Sequence, residues 1–177
     1  RSPAEIASVA ATGAGVVICA GTEANLGDGL IDLPRWLASD TPLSIGSDSQ
    51  VTRSWPEELR WLEYGQRLAL RQRNVSAAPG VQGSTAARLL DRVVAGGAAA
   101  AAWTLAGLQP GARADLLVLD AQQPALCGVP PAQLLDALLF AAPERPFLRT
   151  LVAGRWAPRA DTSTAFAAAM AALWPAA

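Results

Sequence analysis

The chain has 177 residues, 51% of them apolar, and a formal net charge of -1, which suffices for one domain of ordinary size with a buried core. Its 14 basic residues are all arginines, spaced singly with no stripe that would follow a phosphate backbone, which counts against nucleic acid as a partner. No apolar run reaches the roughly 20 residues of a membrane span. Cys19 and Cys127 stand in unrelated contexts, which disfavours a disulfide framework or a zinc–cysteine site and points to a soluble protein of a reducing cytoplasm.

The first residues, Ser2-Pro3 with Glu5, predict a capped helix running to about Thr12. With neither an initiator methionine nor a secretory layout before them, they read as the middle of a longer sequence. Gly13 and Gly15 then break the helix, and Val16-Val17-Ile18-Cys19 has the continuous apolar character of a strand buried on both faces. Residues Gly21 to Gly29 read as a polar, glycine-rich loop. Leu30 to Ser39 has near-helical apolar spacing, with Pro34 limiting where the helix begins, and Leu43-Ser44-Ile45 is the next short strand. Pro56-Glu57-Glu58 opens a long helix expected to reach Arg73. Strand, loop and helix thus follow one another twice, the order of two consecutive parallel-sheet units.

A further helix is expected from Ser84 to Val94, ending at Gly96-Gly97, with an alanine-rich helical segment beyond it to about Leu105. The character changes after the turn cluster Gly107 to Gly111. Asp115 to Asp120 and Phe147 to Val152 read as strands, Pro131 to Phe140 as a short helix, and Thr164 to Leu173 as a last one. The absence of lysine and the alanine runs read as compositional bias.

In a parallel α/β architecture, chemistry belongs to the loops that leave the C-terminal ends of strands. Two such loops are expected here, from Thr22 to Gly29 and from Ser47 to Pro56. Asp48, just past the second strand, reads either as a carboxylate able to hold a metal or take a proton from water, or as a turn cap, the commoner use of Ser-Asp-Ser. Glu23 and Asn25 could contact a substrate through an acid and an amide, although Asn25 with Gly27 and Gly29 also suits left-handed turns. Glu57 and Glu58 read as acids complementing a helix dipole, and Trp61 with Tyr64 as packing. With no histidine in the chain, Ser- or Cys-based triads have no base.

Several segments resemble the amidohydrolase superfamily. Residues 107–120, GLQPGARADLLVLD, are similar to the exit from its (β/α)8 barrel into a small β-sandwich, and Val152 to Trp156 to that sandwich's closing strand. Residues 22–29, TEANLGDG, together with Gly46-Ser47-Asp48-Ser49 and Glu57 to Leu68 with Arg71, Arg73 and Asn74 after it, resemble the formimidoylglutamate deiminase branch of histidine degradation.

The resemblance implies an α/β fold made of the C-terminal part of a metal-dependent-hydrolase TIM barrel in residues 1–106, and a β-sandwich segment with C-terminal helices in 107–177. It implies a zinc-dependent hydrolysis of N-formimidoyl-L-glutamate to N-formyl-L-glutamate and ammonia. Asp48 would be both metal ligand and proton acceptor, while Glu23, Asn25 and Ser49 would face the small-molecule substrate. The remaining zinc ligands in that family are histidines after earlier strands, which would lie upstream of Arg1. A whole barrel takes roughly 250 residues, so only the last two or so strand-helix units are expected here. The parent enzyme would be a homodimer, and this chain alone inactive. Two positions depart from the family pattern, Gln50 where histidine is usual and Ala20 where proline is usual. The competing readings are an inactive remnant kept as a structural or binding module, and a deaminase of the guanine, cytosine or triazine type.

Overall fold

A computed structural model describes residues 2–105, 107–142, 146–158 and 161–174. The boundary placed at residue 106 therefore falls outside the described residues. Helix α1 (Pro3–Ala11) opens with both halves of a capping box: the Ser2 N–H donates to Glu5 Oε2 at 2.6 Å, and the Glu5 N–H donates to Ser2 Oγ at 3.4 Å. Strand β1 (Val16–Ile18) follows and pairs in parallel with β2 (Leu43–Ile45), in the register Val16 to Leu43, Val17 to Ser44 and Ile18 to Ile45.

Burial of β1 on both faces does not hold. Ile18 lies in the core, but Val17 is 59% exposed, because the helical layer covers only one side of this two-stranded sheet among the described residues. The glycine-rich loop is also corrected. Residues Ala20–Leu26 form helix α2, for which Ala20, Ala24 and Leu26 are good formers, and the irregular segment begins only at Gly27. Gly27, at φ 76°, ends the helix, and the Gly27 and Asp28 N–H groups both return to the Glu23 carbonyl, at 2.9 and 3.0 Å. Helix α3 (Leu33–Ala38) starts at Asp32, whose carboxylate accepts the Arg35 N–H, and carries Pro34 in its first turn.

Helix α4 (Trp55–Leu70) stops three residues short of Arg73, at a left-handed Arg71. Helix α5 (Thr85–Ala100) runs unbroken through Gly96-Gly97, where the sequence predicted a stop. The reason is packing: a Cβ on Gly96 would lie 1.8 Å from the Leu43 carbonyl oxygen, so the glycine lets α5 press directly on the backbone of β2.

Beyond residue 107 the chain builds an antiparallel meander of β3 (Leu116–Leu119), β4 (Phe147–Val152) and β5 (Arg155–Trp156). Ala153 and Gly154, both at positive φ, join β4 to β5 as a two-residue hairpin turn, so Val152 to Trp156 is a hairpin and not one closing strand. A single 3-10 turn (Pro131–Gln133) leads into α6 (Leu134–Phe140), and α7 (Ser163–Leu173) has no buried residue.

The main core gathers Ile6, Ile18, Trp36, Leu43, Leu59, Leu89 and Leu139, so α6 packs into the same interior as the strand-helix units. Polar ties reinforce that contact. The Arg60 guanidinium donates to the Leu139 and Ala142 carbonyls at 2.6 and 2.8 Å, and Asp136 accepts the Ala86 N–H at the start of α5 at 3.0 Å. Trp55, the first residue of α4, meets Phe147 of β4 with ring centroids 6.1 Å apart. Among the described residues, no helix is long and apolar enough to cross a membrane.

Candidate functional site

The C-terminal ends of β1 and β2 lie side by side, the Gly46 N–H donating to the Ile18 carbonyl at 3.1 Å. From this shared edge the chain leaves in two directions, into α2 after β1 and into the Ser47–Gln50 turn after β2. The turn closes through the Gln50 N–H on the Ser47 carbonyl at 2.7 Å, with Asp48 at φ 41° and Gln50 at φ 59°. Thr22, in the first turn of α2 and only 3% exposed, fastens the two together. Its hydroxyl donates to the Ser47 carbonyl at 3.3 Å and lies 3.0 Å from Ser49 Oγ, which leaves the Ser49 hydroxyl to donate to it.

Asp48 sits between these two anchored serines. Its side chain is exposed and accepts no hydrogen bond from the described residues, so of the two readings its sequence left open, the turn cap fails. There remains a carboxylate on a constrained backbone with its oxygens unspent. Ser49 is brought beside it but is committed to Thr22. Glu23 is half-buried, and its Oε1 accepts the Cys19 N–H at 3.4 Å, which makes it a helix-capping group as well as a lining residue. It borders a shallow cavity of about 210 Å³ along the free edge of β1, together with Val17, Asp28 and Asp32. Asn25 is exposed one turn further along α2 and makes no hydrogen bond with the described residues, and nothing ties it to Asp48.

Sequence reading missed Thr22 as a clamp and Glu58 as a buried group. Glu58 is 3% exposed; its Oε2 accepts the Gly21 N–H at 2.8 Å, and its Oε1 is buried with no partner among the described residues. Burial is the largest cause that pushes this carboxyl above the usual glutamate range, opposed by the Gly21 N–H and assisted by Glu57 and Glu23. A signal was present: Glu58 stands four residues before Leu62 and eight before Gln66, on the inward stripe of α4. Glu57, by contrast, accepts the Thr52 hydroxyl at 2.9 Å near the helix start, as a first-turn acid would. Tyr64 packs on Phe140, as the packing reading expects, but its partner in that reading, Trp61, is 46% exposed and is not a packing residue.

The Cys19 thiol, between β1 and α2, is raised by burial first and then by Asp48, Glu58 and Glu23 in turn. It stays protonated at neutral pH, so the site holds no ready thiolate. Among the described residues, no three His, Cys, Asp or Glu side chains come together to hold a metal ion. Zinc ordinarily takes three protein ligands even in open catalytic sites. Asp48, free of other partners, fits one ligand position, and these residues alone do not complete a centre.

Two parallel strands with a free carboxylate beyond their C-terminal ends, followed by an antiparallel sheet, make a partial α/β fold. The model of the amidohydrolase family matches residues 2–157, and the chain belongs to that family. It is 46% identical over 157 residues to a formimidoylglutamate deiminase of Pseudomonas aeruginosa, covering 89% of this chain and 34% of that protein. This agrees with the resemblance read from residues 22–29, 46–49 and 57–74. The chain spans about a third of the length of that relative.

Among solved structures, an amidohydrolase from Brucella melitensis superposes with a TM-score of 0.79 at 38% identity, over 88% of this chain and 34% of that one. An adenosine deaminase from Xanthomonas campestris with bound zinc (TM-score 0.76, 21% identity, 96% of this chain and 39% of that one) and E. coli guanine deaminase (0.70, 20%, 91% and 37%) share the fold.

Proposed function

We propose that this chain is the C-terminal third of a formimidoylglutamate deiminase. In this reading residues 1–106 carry the last strand-helix units of a (β/α)8 barrel, and 107–177 belong to its small β-sandwich with the C-terminal helices. The observation that carries the proposal is the carboxylate of Asp48, held past the end of β2 between two serines fixed by Thr22, with no competing partner among the described residues. The 46% identity to the Pseudomonas aeruginosa deiminase supports the substrate.

The reaction is hydrolysis of a C–N bond in a linear amidine. Water adds to the formimidoyl carbon, the tetrahedral adduct collapses with loss of ammonia, and a formyl group remains on the glutamate nitrogen. Asp48 accepts the proton that the attacking water gives up, and its exposure lets it return that proton to the departing nitrogen. Among the described residues it is also the one fitted to hold the zinc that the family resemblance implies, the other ligands lying in the part of the protein this sequence does not cover. Bound zinc supplies a Lewis acid that lowers the pKa of water. The cavity beside β1 is lined by Glu23, Asp28 and Asp32, the last paired with Arg35 at 3.0 Å. A small-molecule substrate, a homodimeric parent and a cytoplasmic location belong to the same proposal.

The test is a chimera in which this chain replaces the homologous third of the Pseudomonas aeruginosa deiminase, assayed for ammonia release from formimidoylglutamate and from guanine. We expect activity on formimidoylglutamate alone, with Asp48→Asn lowering it by about 10³-fold or more. A folded chimera that is indifferent to Asp48→Asn, or that prefers guanine, overturns the proposal. The 177-residue chain by itself is expected to release no ammonia from either compound.

A further inference from the structure

Glu58 lies on α4, away from the turn that carries Asp48, yet the two are joined by an unbroken series of short contacts. Glu58 Oε2 accepts the Gly21 N–H at 2.8 Å, which fixes the first turn of α2. Gly21 fits there only because it lacks a side chain: a Cβ would stand 2.5 Å from Glu58 Oε1 and 2.7 Å from Thr52 Cγ2. The next residue, Thr22, carries the hydroxyl that grips the Ser47 carbonyl and Ser49 Oγ on either side of Asp48. A second restraint acts from below, where the Thr52 hydroxyl donates to Glu57 and accepts the Ser54 N–H at 3.1 Å.

We propose that Glu58 is a positioning residue for Asp48, acting through Gly21 and the Thr22 hydroxyl to set the turn on which the Asp48 carboxylate stands. A carboxylate buried with one oxygen unpartnered is a costly way to cap a short helix. The cost is explained if the first turn of α2 has to be held in one place, because everything Thr22 grips moves with it. The importance of this for catalysis rests on the reading of Asp48 given under the proposed function. The linkage itself does not.

The test is therefore made without activity, on the uniformly ¹⁵N-labelled 177-residue chain, by residue-resolved amide hydrogen exchange and chemical shifts. The reporters are the amides of Asp48 and Ser49 and that of Gln50, which is bonded to Ser47. Glu58→Ala is expected to move all three resonances and to speed Gln50 exchange by roughly tenfold. Glu58→Gln, which keeps an acceptor for Gly21, is expected to restore wild-type positions. Thr22→Val moves the same three resonances by itself, and adding Glu58→Ala to it brings no further change at 48–50.

Should Glu58→Ala fail to fold, Gly21→Ala presses on the same carboxylate and runs the same cycle with Thr22→Val. Effects of Glu58→Ala confined to α2 and α4, a Gln variant that behaves like the Ala variant, or additive effects in the double variant each overturn the proposal. Because no step needs substrate, failure here is distinct from failure of the functional assignment.

Discussion

Glu63 and Arg67, one turn apart on α4, form an ion pair of 2.8 Å in which the carboxylate is fully buried. The same carboxylate accepts the Val75 and Ser76 N–H groups at 2.9 and 3.0 Å, so it turns the chain back after the helix ends. Arg67 in turn lies over the rings of Tyr64 and Phe140, at 5.3 and 4.7 Å, and donates to Asn74 at 3.2 Å. The residues of the family-like segment from 57 to 74 are thus in good part a structural staple. Glu63→Ala leaves two buried N–H groups and a cation without their acceptor and is expected to lower unfolding free energy by about 3–5 kcal/mol. Urea denaturation of the chain followed by tryptophan fluorescence checks this; a loss below about 1 kcal/mol would contradict it.

Adjacent glycines on α5 should respond in opposite directions to the same substitution. Gly96→Ala drives a methyl group into the backbone of Leu43, which cannot yield without separating α5 from β2, and should cost about 3 kcal/mol or more. Gly97 has nothing within 4 Å of where its Cβ would be and sits in a continuous helix, so Gly97→Ala should gain roughly 0.5–1 kcal/mol. Denaturant midpoints for the two variants, measured side by side, decide it.

These glycines also mark where sequence reading stopped. A Gly-Gly pair ordinarily ends a helix, and only the nearness of β2, far earlier in the chain, turns it into a packing device. Local signals were read correctly where the cause is local: the Ser2–Glu5 box, the strand Leu43–Ile45, and proline in the first turn of α4. The loop assigned to 21–29 failed because Gly21 is required by the Glu58 carboxylate and not by a turn. Likewise Asp48 was legible as a residue past a strand end, but its freedom from capping depends on Thr22 taking hold of Ser47 and Ser49 from 25 and 27 residues away. Such long-range contacts leave no periodic trace.

The β4–β5 turn offers a stabilising change. Ala153 holds φ 48°, a left-handed conformation in which its Cβ is crowded, because a two-residue hairpin of this twist needs positive φ at both central positions. The turn is anchored all the same, by the Ala153 N–H on Asp115 at 2.7 Å and the Gly154 N–H on the Ala114 carbonyl at 2.9 Å. Ala153→Asn keeps the N–H and tolerates the conformation, and should raise stability by roughly 1 kcal/mol, or Tm by about 2–4 °C. An unchanged or lowered Tm by calorimetry would show that the turn is not strained.

The buried carboxyl of Glu58 gives stability a pH dependence whose sign can be worked out. Its pKa in the folded chain is raised above the ordinary glutamate value, chiefly by burial. Of the charged groups facing it, Glu57 on α4 and Glu23 on α2 push it further up, while the Gly21 and Ala20 N–H groups oppose the rise. A raised acid favours folding in its neutral form. Its contribution is fully present below the unfolded pKa of about 4.3 and is lost as pH rises through the higher folded value. Wild-type chain should therefore lose stability across that window relative to Glu58→Gln, which has no proton to give up. The two stability curves should run parallel above the folded pKa. Paired urea titrations at intervals from about pH 4 to 8 check this, and a wild-type stability that holds or rises relative to Glu58→Gln as pH climbs through that window would refute it.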